Sequence, residues 1–228
     1  MSYTTPYPTY TYAQRWQAMR ALLLAVSRGW HYWTSGSIAP GKLRSLAEKF
    51  DARFNGLHGW TLSRAQSDYN KRIGQARPRL ICAQAPDDTT EWFLLSDNPE
   101  LPGETLKDAQ GRRSRIRIYE RFELIQVTKP RHLGGGQHWT YRYPHELYAG
   151  YVADGSRFAA HESPRRAQQL IDFLACDPGF SGLRTQRIQL YRQMVRVRTK
   201  QKPYAAPLIL PGLPFLSMVV RQESQKPI

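Results

Sequence analysis

From Arg79 to Tyr143 the apolar residues alternate with polar ones, while on either side they recur every three or four positions. A period of two marks a pleated strand with one covered face, and a period near 3.6 marks a helix with an apolar stripe. A chain that reads helix, then strand, then helix is expected to be an α+β protein. Its parts are a helical N-terminal part, a small antiparallel sheet in the middle, and a helical C-terminal part with an extended tail. The expected boundaries are an extended arm over 1–12, a single α+β domain over 13–202 (helical 13–77, β 79–143, helical 144–202) and a Pro-rich tail over 203–228.

Three helices are expected before the sheet. Ala13 to Arg28 places Trp16, Met19, Leu23 and Val26 on one stripe. Pro40 to Phe54 does the same with Leu43, Phe50 and Phe54. Ser63 to Arg77 opens on a capping box, Ser63 with Gln66, and is expected to end at Pro78. The arm before them is Tyr, Thr and Pro with hardly a helix former.

In the middle, Arg79–Gln84 and Glu91–Leu95 read as short strands around a Pro86-Asp87-Asp88 turn. Arg115 to Val127 reads as one long strand. Ile116, Ile118, Phe122 and Leu124 share one phase, and Arg115, Arg117, Tyr119, Arg121 and Glu123 share the other. His138 to Tyr143 buries Trp139, Tyr141 and Tyr143 on one side, and Gly134-Gly135-Gly136 joins it to the preceding strand as a hairpin. Downstream, Ser163 and Pro164 start a helix that Asp177-Pro178-Gly179 stops. Ser181 to Lys202 is the last helix, with Leu183, Leu190, Met194 and Val197 as its stripe. The tail holds five prolines and is expected to lie extended against the body.

Charge narrows the partner class. The chain has 33 Lys and Arg against 18 Asp and Glu, a net +15, and an isoelectric point near 10.1. The excess is clustered: Arg184, Arg187, Arg192, Arg196, Arg198, Lys200 and Lys202 fall between Ser181 and Lys202 with no acid among them. Nucleic acid is the commonest polyanion for such a surface, since each neutralised phosphate releases a counterion. A second basic set is Arg112, Arg113, Arg115, Arg117 and Arg121, with Arg131 and Arg142 from the hairpin. A third is Lys42, Arg44 and Arg53. These three sets, with Arg184 to Lys200, are the expected nucleic-acid-binding residues. Arg outnumbers Lys by 25 to 8, which suits bidentate grip on phosphate but also follows from a GC-rich genome.

Several function classes find little to stand on. The longest apolar run, Ala21 to Val26, is far too short to span a bilayer, and the N-terminus has no secretory pattern. The expected location is cytoplasmic, with Cys82 and Cys176 as isolated reduced thiols. Trp30-His31-Tyr32-Trp33 is expected to be core rather than a stacking platform. Gly36 to Lys42 fits G-x-x-x-x-G-K, but Leu43 follows where Mg²⁺ needs Ser or Thr, and Pro40 removes an amide donor. At most, Gly41 and Lys42 hold one phosphate at a helix start. The six histidines form no metal pattern, so no metal and no cofactor is expected.

The leading expectation is therefore a non-catalytic nucleic-acid-binding protein, a subunit of a nucleoprotein complex alongside other protein subunits. Its Arg- and Trp-rich style is that of proteins on mobile elements, an impression carried by no motif. One alternative is a metal-independent nuclease in which His132 and His138 exchange protons at a ribose hydroxyl and a leaving oxygen. Another is an interaction subunit that meets an acidic partner.

Overall fold

The computed structural model describes residues 11–12, 15–85, 89–129, 131–160, 164–202, 204 and 206–212. In chain order the elements are β1 (Thr11–Tyr12), α1 (Arg15–Ser27), β2 (Tyr32–Ile38), α2 (Leu43–Phe54), α3 (Arg64–Arg72), β3 (Arg79–Gln84), β4 (Thr90–Ser96), β5 (Lys107–Asp108), β6 (Arg117–Ile118), β7 (Phe122–Thr128), β8 (Gln137–Arg142), α4 (His145–Ala160), α5 (Pro164–Ala175) and α6 (Ser181–Gln201). The fold is α+β, with helices at both ends and strands between. Most of the N-terminal arm, the 86–88 turn, the Ser163 cap and the tail beyond 212 lie outside the described residues.

Contacts gather in two compact units. Of the described residues, the first holds those through Tyr119 together with Gln126–Trp139, and the second holds Glu120–Ile125 and those from Thr140 onward. The expectation of one domain over 13–202 drew no such division.

In the first unit, five strands form a sheet in the order β1-β3-β4-β2-β5, antiparallel except for β1, which runs parallel to β3. β2 is an element that periodicity did not signal. It starts with Tyr32 and Trp33 but continues through Ser35-Gly36-Ser37, which have little strand propensity. Its partner supplies what is missing: Gly36 pairs with Trp92 in register, and a Cβ on Gly36 would stand 2.7 Å from that indole. The glycine is thus a seat for a cross-strand ring. The G-x-x-x-x-G-K match is for this reason no phosphate loop: its first residues are mid-strand, and only Pro40–Lys42 forms a 3-10 turn. Trp30 and Trp33 are buried, at 4% and 5% exposure, as core residues.

The helices cover this sheet as their stripes require. α1 buries Ala18, Met19, Leu22, Ala25 and Val26, so the expected stripe is rotated by one residue at Leu23. α2 lays Leu43, Ala47 and Phe50 against Leu80, Cys82 and Leu94 of the sheet. Each such large side chain contributes about 2 kcal/mol by burial. α3 begins with the expected capping box, Ser63 Oγ accepting from the Gln66 amide and Gln66 Oε1 from the Ser63 amide. It stops at Arg72, well before Pro78, because Gly74 takes φ +75° and turns the chain left-handed.

The long strand expected over Arg115 to Val127 is a hairpin. Tyr119 and Glu120 both have positive φ, 54° and 49°, and these two left-handed residues reverse the chain within the three-residue connection 119–121. The Tyr119 amide donates to Glu91 Oε2 and its hydroxyl to the Gln84 carbonyl, both at 3.1 Å. β6 and β7 are therefore neighbours in a sheet of order β6-β7-β8. Three residues, 119–121, connect β6 to β7, and Ile116, Ile118, Phe122 and Leu124 are all fully buried, as their shared phase demanded.

The second unit packs α4, α5 and α6 together. Gly155 on α4 lets α6 come close, with Leu190 and Met194 each 3.0 Å from where its Cβ would be. The start of α6 has no side-chain cap of its own. Thr140 Oγ1 on β8 accepts from the Gly182 amide at 3.0 Å and so satisfies one open donor. A Cβ on Gly182 would run into the Tyr141 carbonyl. Residues 206–212 run extended along this unit: Gln168 exchanges both amide hydrogen bonds with the Ile209 backbone, at 2.8 and 2.9 Å, and Tyr191 donates to the Leu208 carbonyl.

Candidate nucleic-acid interface

The buried stripe of α6 is Leu183, Arg187, Leu190, Met194 and Arg198, at spacings of four, three, four and four. Two arginines thus lie in the apolar face. Arg187, 4% exposed, donates to the carbonyls of Leu174, Asp177 and Pro178 at 2.8, 2.9 and 3.1 Å. These are the open carbonyls at the end of α5 and the segment after it, so Arg187 is a C-terminal cap reached from another helix. Burial lowers its pKa from the ordinary value. Arg198, equally buried, donates to the Ala206 carbonyl at 2.9 Å. Neither is available to a phosphate, and both leave the expected binding set.

Beside Arg187 lies a buried polar cluster. Asp177 Oδ2 accepts from Arg121 at 2.6 Å and from the Tyr143 hydroxyl at 2.7 Å. Burial, then the Asp177 charge and hydrogen bond, push the Tyr143 pKa upward. Arg121 also lies over the Phe173 ring, 4.5 Å from its centroid. Arg142 pairs with Glu123 at 2.9 Å. Arg121 and Arg142 are therefore held by acids inside this unit, which removes them from the free basic surface.

The outer face of α6 differs in kind. Arg192, Arg196 and Lys200 are exposed, stand at steps of four residues, and make no ion pair among the described residues. Four residues rise about 6 Å along a helix, so the row spans about 12 Å. The neighbouring exposed residues are Thr185, Gln189 and Thr199, which bring no opposing charge. Arg184 is half-buried and has a partner within the protein.

In the first unit, Arg112 and Arg113 are exposed and unpaired among the described residues, while Arg115 and Arg117 are engaged within the protein. Lys107 rests over the Trp33 ring at 5.1 Å. Arg131 and His132 are exposed on the 3-10 turn after β7. His138 is half-buried on β8; burial, and then Lys129, lower its pKa against a backbone hydrogen bond at Val127. Around α2, Lys42 is open, Arg44 pairs with Glu48 at 2.9 Å, and Arg53 with Glu104 at 2.5 Å. Among the described residues no group of His, Cys, Asp and Glu is arranged to hold a metal, and no helix is long and apolar enough to cross a membrane.

No protein-family model, curated protein or solved structure matches the chain. The site must therefore be read from its own geometry.

Proposed function

We propose that this protein binds nucleic acid through the phosphate backbone, without catalysis, as one subunit of a nucleoprotein complex. The observation that carries the reading is the acid-free outer face of α6, where Arg192, Arg196 and Lys200 form a row without an ion pair among the described residues. A duplex presents one negative charge per roughly 1.7 Å of axis, so a row of this length faces several phosphates at once. Backbone contacts position a strand without reading its bases, which suits a row of cations on one regular helix. Arg112 and Arg113 offer a smaller contact of the same kind.

The test is the salt dependence of binding, by fluorescence anisotropy with labelled DNA and RNA. The expected result is a steep linear fall of log K against log salt. Replacing Arg192, Arg196 and Lys200 together by Gln should reduce the duplex slope by about 2.7, at about 0.9 per lost phosphate contact. A flat plot for the unaltered protein would overturn the reading. Labelled RNA is expected to keep its length on incubation, and His138→Ala to leave affinity unchanged.

A further inference from the structure

α3 turns one side toward solvent, where Tyr69 is 59% exposed and Ile73 is 49% exposed. Beside it opens a cavity of about 640 Å³, closed on the other side by the end of α2 and by segments 75–78 and 101–102. This is the size of a small-molecule site. Its lining mixes two ring systems, Phe54 and Tyr69, with four amides: Gln66 serves the α3 capping box, and three stand apart from it, Asn55, Asn70 and Gln75. None of those three amide side chains makes a hydrogen bond among the described residues. The lining contains no acid, and its one cation, Arg53, already has a nitrogen on Glu104.

Uncommitted amides lining one cavity offer both donors and acceptors to the same space. The edge of a nucleobase carries the same alternation, and Asn and Gln are the side chains that pair with it two bonds at a time. Ring faces such as Tyr69 are the usual platforms for an unpaired base. An apolar ligand would leave the amides unpaired on burial, which costs free energy, and a carboxylate-bearing cation would find no acid to meet. We propose that this cavity receives a nucleobase, either in a free nucleoside or as an unpaired base of a strand. The second source rests on the backbone-binding reading above.

The experiment has two arms. In the first, adenosine, guanosine, cytidine and uridine are titrated into the full chain and followed by saturation-transfer NMR. Transfer to at least one base is expected, and its loss in Tyr69→Ala and Asn70→Leu. In the second, a single strand with bases is compared with an abasic strand of equal length at low salt. The strand with bases should bind at least about fivefold tighter, and the same variants should erase that ratio while leaving the abasic affinity unchanged. Gln75→Leu gives a further variant should either of the others fold poorly by circular dichroism. Nucleoside binding without binding of any strand leaves the cavity proposal standing with a free nucleoside, and removes the backbone reading. Equal binding of both strands with no nucleoside signal overturns the cavity proposal and leaves the backbone reading intact. A base preference or nucleoside signal that survives every variant also overturns it.

Discussion

On its inner face α6 holds Arg187 and Arg198 against backbone carbonyls; on its outer face it holds Arg192, Arg196 and Lys200, which make no ion pair among the described residues. The residue type is nearly the same, and the roles are opposite. A guanidinium inside a unit is a fork of donors that ends a neighbouring helix. The same group outside is a charge awaiting a polyanion. Counting arginines along a sequence therefore overstates a binding surface, and the overcount falls where the arginine sits in phase with leucines.

The largest expected effect tests the inner face. Arg187→Met strips three carbonyls of their donor, and the loss of stability should be about 3–5 kcal/mol in denaturant unfolding. A loss under about 1 kcal/mol would show that water replaces the fork. The reverse case is the outer row. Its triple Gln variant should move stability by no more than about 0.5 kcal/mol, yet weaken duplex binding by about two orders of magnitude near 0.1 M salt. Were both numbers to move together, the two faces would not be separable. Arg198→Met comes next, at about 1–2 kcal/mol, since it gives up one hydrogen bond and some packing.

The smallest effect contrasts a buried cation with a half-buried imidazole kept neutral. His58 shares a hydrogen bond between Nδ1 and Ser67 Oγ at 2.7 Å, and its pKa is lowered by burial, then by Arg79 and Arg77. The unfolded chain takes up a proton near pH 6.5, and the folded chain only at lower pH. Stability should therefore be unaffected above about pH 7 and fall as pH drops from there toward the folded pKa. Below that pKa it should level off. The slope is at most about 1.4 kcal/mol per pH unit, and His58→Gln should flatten it. An unchanged slope in that variant would assign the pH dependence to other groups.

Much of the fold was legible because local signals agreed with it. The Ser63–Gln66 box, the Gly-rich hairpin, and the phases of 116–124 and 139–143 were all where the letters put them. The hairpin turn at Tyr119-Glu120 was illegible for a physical reason. Neither residue favours positive φ, and a three-residue connection leaves the apolar alternation in the letters intact. β2 was illegible because its propensity is supplied by Trp92 across the ladder. The binding set was partly legible. Arg187 and Arg198 do carry a signal in the letters: each lies four residues beyond Leu183 or Met194, in the stripe itself. The cavity beside α3 had none, because its uncommitted amides, Asn55, Asn70 and Gln75, follow no common spacing along the chain.

Gln168 reads the peptide at Ile209 through both its amide groups, and Gln186 does the same at Tyr143, accepting from its N–H at 2.7 Å and donating to its carbonyl at 3.3 Å. Such a side chain stands in for the edge of a strand and is indifferent to what the clasped residue carries. Ile209 is 69% exposed, so drift at that position should be nearly free, with one letter barred. Proline there would remove the N–H that Gln168 holds, and the strap along the second unit would lose its grip without any apolar contact being touched.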